Sequence, residues 1–174
     1  EISACLVGSE MCIRDSSQTN QIKYKPQNIN QSELREIFSR FIDFDNNKNI
    51  KINLSIPDKL DLHADATMLE TILRNLFSNA IKFTPEFGTI DLGAVNSSNG
   101  TEFYVADSGV GISESIKLLI QNGNSYSSNG TNKESGNGLG LQIVREFIQQ
   151  HNAELTIHSE ENKGSRFSFV LVNH

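Results

Sequence analysis

The 174 residues contain no tryptophan, only three prolines, and just two cysteines, Cys5 and Cys12, both within the first dozen positions. A disulfide or thiolate-metal framework for the body of the chain is thereby excluded, and a reducing compartment is compatible. Positive charge is also scarce: 15 Lys and Arg face 21 Asp and Glu, a net charge of -6. Such a balance supplies no basic field for nucleic acid or an anionic membrane, and neither is expected as a partner. No stretch approaches the ~18 consecutive apolar residues of a membrane span. The N-terminus also lacks the basic-then-apolar pattern of a secretion signal. The expectation is a cytoplasmic piece whose parent could still be membrane-anchored. A domain of ~150 residues buries roughly two thirds of its unfolded surface, so one sizeable core is within reach.

Residues 1–17, EISACLVGSEMCIRDSS, show no useful periodicity and share no composition with the rest of the chain; they look like translated adapter sequence and are set apart from the fold. Residues 18–30 read as an extended junction, because Pro26 disfavours helix at the residue before it. Asn30 caps a helix in which Leu34, Ile37, Phe38, Phe41 and Ile42 form one apolar stripe. Residues 49–56, NIKINLSI, alternate Ile52, Leu54 and Ile56 with polar neighbours, predicting a half-buried strand. Asp65 caps a long helix ending at Phe83, with Leu69, Ile72, Leu73, Leu76, Phe77, Ala80 and Ile81 on its buried face, and Pro85 stops it. Strands are predicted around Ile90, Tyr104 and Phe169, with residues 154–158 pairing with the last. Residues 113–138 read as one long polar loop, and a helix comes after it from about Leu139 to Gln150. This order predicts a two-layer α/β sandwich, helices on one face of a mixed, mostly antiparallel sheet.

Three segments carry chemistry. On the long helix Asn75, Asn79 and Lys82 recur at spacings of four and three, so they share a face. Two amides and an ammonium suit magnesium and phosphate oxygens, although the same pattern also marks a solvated helix side. In DSGVGI, residues 107–112, Gly109 and Gly111 let the backbone approach a flat ligand, and Asp107 offers an acceptor to a purine amino group; an ordinary strand-to-loop turn has the same composition. In GNGLGL, residues 136–141, the glycines precede a helix whose free amides and dipole attract phosphate. A dinucleotide fold is disfavoured there, since a polar loop rather than a strand comes before it. KGSRFSF, residues 163–169, turns into a strand at Gly164 and offers the Ser165 hydroxyl.

Taken in order, NLFSNAIKFTP (residues 75–85), DSGVGI, GNGLGL and GSRFSF resemble the N, G1, G2 and G3 boxes of the sensor histidine kinase catalytic domain, within the GHKL ATPases. The resemblance covers about residues 30–172. It implies the Bergerat ATP-binding sandwich over residues 31–174, with residues 18–30 leading in from dimerisation helices that lie elsewhere. It implies ATP and Mg2+ as ligands: Asn79 holding the metal with help from Asn75, Lys82 meeting phosphate, and Asp107 binding the adenine amino group. Phe83, Gly109, Gly111, Ile112, Gly136, Gly138, Leu139, Gly140, Leu141 and Ser165 would shape the pocket. The loop between the G1 and G2 boxes would be the ATP lid. Implied partners are a dimerisation domain carrying the phosphoacceptor histidine and, indirectly, a response regulator, in a homodimeric parent.

Two departures stand out. The phenylalanines of the family's F box are replaced by Leu118, Leu119 and Tyr126. No phosphoacceptor motif is present either: His63, His151, His158 and His174 are all expected at the surface. Hydrolytic and serine-directed GHKL proteins are similar to one another in placing a glutamate four residues before the metal-binding asparagine; here that position is Asn75. An amide cannot take a proton from water or a serine hydroxyl at neutral pH, whereas a neutral imidazole already presents a nucleophilic nitrogen. Asn75 therefore favours transfer to histidine over hydrolysis or serine phosphorylation; a non-catalytic nucleotide-binding module is the alternative from another class.

Overall fold

A computed structural model describes residues 23–42, 48–60, 62–121 and 139–172. Two helices set the N-terminal half. The first, α1 (Gln31–Ile42), starts in a reciprocal box: Asn30 Oδ1 accepts the Glu33 N–H at 3.0 Å and Glu33 Oε2 accepts the Asn30 N–H at 2.9 Å. Caps of this kind stabilise a helix by about 1 kcal/mol. Its stripe of Leu34, Ile37, Phe38 and Phe41 is buried, and the Phe41 ring meets Phe77 of α2 (Ala66–Phe83) at 5.6 Å. Asp65 caps α2 by accepting from Thr67 and Met68 N–H, and Met68, Leu69, Ile72, Leu73, Leu76, Phe77 and Ala80 form its buried side. At the other end the Lys48 ammonium donates to the carbonyls of Ile81 and Lys82 at 2.9 and 3.1 Å, complementing the negative end of the helix dipole.

Two short strands, β1 (Gln27–Ile29) and β3 (Leu62–Ala64), form a small antiparallel ladder. Five others, β2 (Lys51–Ser55), β4 (Thr89–Ser97), β5 (Gly100–Asp107), β6 (Thr156–Glu160) and β7 (Gly164–Leu171), make the main sheet in the order β2-β4-β5-β7-β6. The β2-β4 pairing is parallel and the other three are antiparallel, the mixed sheet the sequence predicts. One face carries an apolar row: Leu92 pairs with Val105, Val105 with Phe167, and Phe167 with Ile157, all buried beneath the helices. The remaining helices are α3 (Glu114–Gln121) and α4 (Gly140–Gln150), the latter burying Val144, Phe147 and Ile148. No helix among the described residues is long and apolar enough to cross a membrane.

Four expectations need correction. Residues 113–138 do not form one loop, because α3 occupies Glu114–Gln121. Ser113 leads into it, its hydroxyl facing the Ile116 N–H, and Ile120 anchors it in the core. The polar run beyond masks this short pattern in any averaged window. In β2 the alternation fails at Leu54, which is 40% exposed, because β2 is an edge strand whose helix-side cover thins out there; Ile50, just before it, is buried instead. The β1-β3 ladder, three residues on each side, is too short for any periodicity to announce.

The fourth concerns the histidines. His151 is half-buried and bonded through both ring nitrogens: its Nε2 accepts the Asp65 N–H at 3.1 Å, its Nδ1 donates to the Phe147 carbonyl at 2.7 Å, and the Tyr24 ring packs edge-on at 5.0 Å. An accepting Nε2 requires the neutral Nδ1–H tautomer. Burial lowers the His151 pKa, against the opposing pull of the Phe147 carbonyl and Asp65. The residue joins the C-terminal end of α4 to the start of α2 and to the lead-in, where Lys25 N–H also donates to Asp65. His63 is half-buried with Nδ1 at 2.7 Å from Asn28 Oδ1, and His158 is exposed. His174, like residues 1–22, lies outside the described residues.

Candidate nucleotide site

The sheet's inner face changes character at one end. Beyond the apolar row Val105-Phe167-Ile157 comes a polar row across the same three strands: Asp107 on β5, Ser165 on β7 and Ser159 on β6, consecutive register partners. Period-two alternation puts Asp107 on the side of Val105, facing the helices rather than solvent. Burial raises its pKa, while the N–H groups of Gly109 and Ser165 pull it back down. A half-buried carboxylate already holding two amides is a desolvated acceptor aimed at a donor-bearing ligand.

The turn after Asp107 is pinned on every side. Gly109 N–H donates to Asp107 Oδ1 at 2.8 Å, Val110 N–H to the Phe83 carbonyl at 3.2 Å, and Ile112 N–H to Ser159 Oγ at 2.8 Å. Asn162 N–H closes the other side on the Val110 carbonyl at 2.7 Å. Gly111 has φ +67°, and a Cβ there would run into the Glu160 carbonyl; Gly164 has φ +99°, and a Cβ there would run into the Asp107 carbonyl. Both positions demand glycine on conformation and on space. Gly109 lies against the Phe83 carbonyl, so the turn and the end of α2 touch directly.

Along α2, Asn75, Asn79 and Lys82 are half-buried, whereas Arg74 and Ser78 are exposed. The shared polar face is therefore not the helix's solvated side. Asn75 Nδ2 donates to the Thr71 carbonyl at 2.7 Å, which leaves its Oδ1 facing away from the helix backbone; that oxygen is 3.0 Å from where a Cβ on Gly140 would stand. Lys82 lies over the Phe83 ring, Nζ 4.8 Å from its centroid. At the start of α4, Leu139 accepts the Ile143 N–H at 3.1 Å and makes no side-chain cap, leaving the amides of the first turn directed outward.

Helix α2 thus forms a shared wall, meeting α4's start at Asn75 and the Asp107 turn at Phe83. Eight residues separate these points, about 12 Å of helix, a span suited to a base and its phosphates. Of the expected site residues, Asn75, Asn79, Lys82, Phe83, Asp107, Gly109, Gly111, Ile112, Leu139, Gly140, Leu141 and Ser165 stand on the elements bordering this span. Gly136, Gly138, Tyr126 and the part of the expected lid in residues 122–138 lie outside the described residues. Ser159 is a site residue that sequence reasoning misses. Its only sequence signal is the alternation Ile157, Ser159, which continues the buried face of β6 with a hydroxyl.

A mixed five-stranded sheet under helices, with a strand-end carboxylate and a glycine-bordered helix start on its covered face, defines the ATP-binding sandwich class. The chain belongs to the histidine kinase-, DNA gyrase B-, and HSP90-like ATPase family, whose model matches residues 64–173. It is 33% identical over 126 residues to the adaptive-response sensory kinase SasA of Synechocystis sp., covering 71% of this chain and 33% of that protein. It is 40% identical over 118 residues to the histidine protein kinase DivJ of Caulobacter vibrioides, covering 66% of this chain and 19% of that one. The chain spans between about a fifth and a third of the length of these relatives. Among solved structures, the catalytic domain of histidine kinase ThkA superposes with a TM-score of 0.70 at 27% identity, over 87% of this chain and 97% of that one. Full-length ShkA in complex with AMPPNP superposes with a TM-score of 0.69 at 25% identity, over 92% of this chain and 34% of that one.

Proposed function

We propose that this chain is the ATP-binding catalytic domain of a sensor histidine kinase, transferring the γ-phosphate of ATP to a histidine on a dimerisation domain of the same parent protein. The observation that carries the reading is α2 standing between a desolvated Asp107 carboxylate at one end and amide-lined Asn75 and Gly140 at the other. Asp107 accepts a hydrogen bond from the adenine amino group, and Gly109, Gly111 and Ile112 fix the turn against which the base lies. Lys82 and the first-turn amides of α4, with Leu139, Gly140 and Leu141, neutralise phosphate oxygens. Gly136 and Gly138 belong to the same glycine-rich approach.

Magnesium fits the donor set, because Asn75 commits its NH2 to Thr71 and turns an oxygen outward, one helical turn before Asn79. Held by Asn75 and Asn79, the ion would offset the negative charge of the phosphates. For the transfer itself, a neutral imidazole nitrogen forms a bond to the γ-phosphorus as the bond to the β,γ-bridging oxygen breaks, and ADP leaves. No glutamate stands at position 75 to activate water, which favours transfer over hydrolysis. The relatives' names support the histidine-directed reading; a homodimeric parent, linked to a response regulator and with its kinase part in the cytoplasm, is the rest of the proposal. The test combines this chain, magnesium and γ-labelled ATP with a separately prepared dimerisation domain. Acid-labile, base-stable label on the acceptor is the expected result. Nucleotide binding without transfer would indicate a regulatory module, and rapid phosphate release without acceptor an ATPase.

A further inference from the structure

We infer that Ser159 is a specificity-determining residue: it turns Ser165 into a pure hydrogen-bond acceptor, so that the base end of the site selects a 6-amino purine over a 6-oxo purine. The inference rests on the nucleotide reading above and deepens it. It follows from counting protons in the polar row Asp107-Ser165-Ser159. A serine hydroxyl has one proton to give and two lone pairs to fill. One lone pair of Ser159 Oγ is filled by the Ile112 N–H at 2.8 Å. Its proton goes to the Gly164 carbonyl at 3.0 Å, since a carbonyl oxygen can only accept. The remaining neighbour, Ser165 Oγ at 2.9 Å, must then be the donor.

Ser165, buried and next to Asp107, therefore has its only proton committed to Ser159. What it offers toward Asp107's side is lone pairs. Two acceptors in adjacent strand positions match an exocyclic amine, which has two hydrogens. They mismatch a 6-oxo group, whose oxygen would face a lone pair with no proton between them. A site that leaves polar groups unpaired with the wrong ligand discriminates far more strongly than one that merely fits shape. The same Ser159 also anchors the Ile112 end of the turn, so hydrogen-bond polarity and loop position are set by one side chain.

The experiment measures dissociation constants of ADP and inosine diphosphate, at equal magnesium, for the wild type, Ser159→Ala and Ser159→Thr. The wild type is expected to prefer ADP. In Ser159→Ala the Ser165 proton is freed to reach a 6-oxo oxygen, so ADP binding weakens, inosine diphosphate binding tightens, and the preference falls about tenfold; Ser159→Thr retains it. A loss of positioning alone would weaken both ligands together and leave their ratio unchanged, and that result overturns the inference. Should Ser159→Ala fail to fold, Ser165→Ala decides: removal of the acceptor must also shrink the ratio. A wild type that binds both diphosphates equally overturns the inference while leaving the nucleotide reading intact, and one that binds neither overturns both.

Discussion

The two ends of the α2 wall are built from different materials. Around Asp107 the site is made of backbone: the amides of Gly109, Val110 and Ile112 are each bonded within the protein, and the Gly111 and Gly164 backbones press on neighbouring carbonyls. Around Asn75 and Gly140 it is made of side-chain amides and the first turn of α4, to which Leu139 adds no side-chain cap. The first end is preorganised and has almost no freedom left to lose when a base arrives; the second presents the Asn75 Oδ1 and the first-turn amides of α4, groups suited to a cation and an anion. Selectivity should therefore reside at the first end and salt- and metal-dependence at the second.

The largest expected effect breaks the preorganised end at its backbone. Gly164→Ala places a Cβ against the Asp107 carbonyl at φ +99° and should cost at least ~2 kcal/mol of stability, read as a drop in thermal midpoint together with loss of nucleotide binding. Asp107→Asn comes next, since Asn Oδ1 can still accept the Gly109 N–H and the turn should survive. Adenine nucleotide affinity should fall about ten- to a hundredfold, the weight of a charged hydrogen bond, with the melting curve little changed. Unchanged affinity in a calorimetric titration would remove Asp107 from the base site.

Much of the preorganised end is legible in the sequence, and the reason is physical. Glycine at Gly109, Gly111 and Gly164 and a carboxylate at a strand end are residue types chosen for local backbone needs, which sequence records directly. Caps behave likewise: Asn30 and Asp65 sit where their helices begin because orphan amides need an adjacent acceptor. Ser159 is silent in the sequence because its importance is a long-range pairing, 47 residues from Ile112, and a serine in a strand says nothing of its partner. The surface expectation for His151 fails for the same reason, its partner Asp65 lying 86 residues away. Helix α3 is hidden because eight residues are too few to outweigh the polar stretch beyond them.

Two milder changes sharpen the comparison. Asn79→Asp adds a negative charge near the Asn75 end, and should shift the magnesium titration of nucleotide binding several-fold while leaving the ADP-to-inosine-diphosphate preference alone. Superimposable titrations for the two proteins would count against Asn79 as a metal-side residue. The smallest effect lies outside both ends. The folded pKa of His151 is lowered, so the unfolded chain binds its proton more readily. The contribution of neutral His151 is complete above the ordinary histidine range near 6.5 and is lost as pH falls toward the folded value. Stability should decline on acidification below about pH 6.5 with a slope of at most ~1.4 kcal/mol per pH unit from this group. His151→Gln should flatten that part of a melting-temperature profile, and an identical profile would show that the ring carries no such linkage.

The β2-β4 pairing has a practical corollary for anyone cutting this chain. The family model's match begins at residue 64, yet β2 and α1 both lie upstream of it. A fragment started at that boundary would leave β4 with an open hydrogen-bonding edge. It would also strip Leu34, Phe38 and Phe41 from their packing in the core. Bare edges and uncovered aromatics seek partners in other copies. Such a truncation would precipitate or form oligomers, and trimming should stop no later than the Asn30 cap.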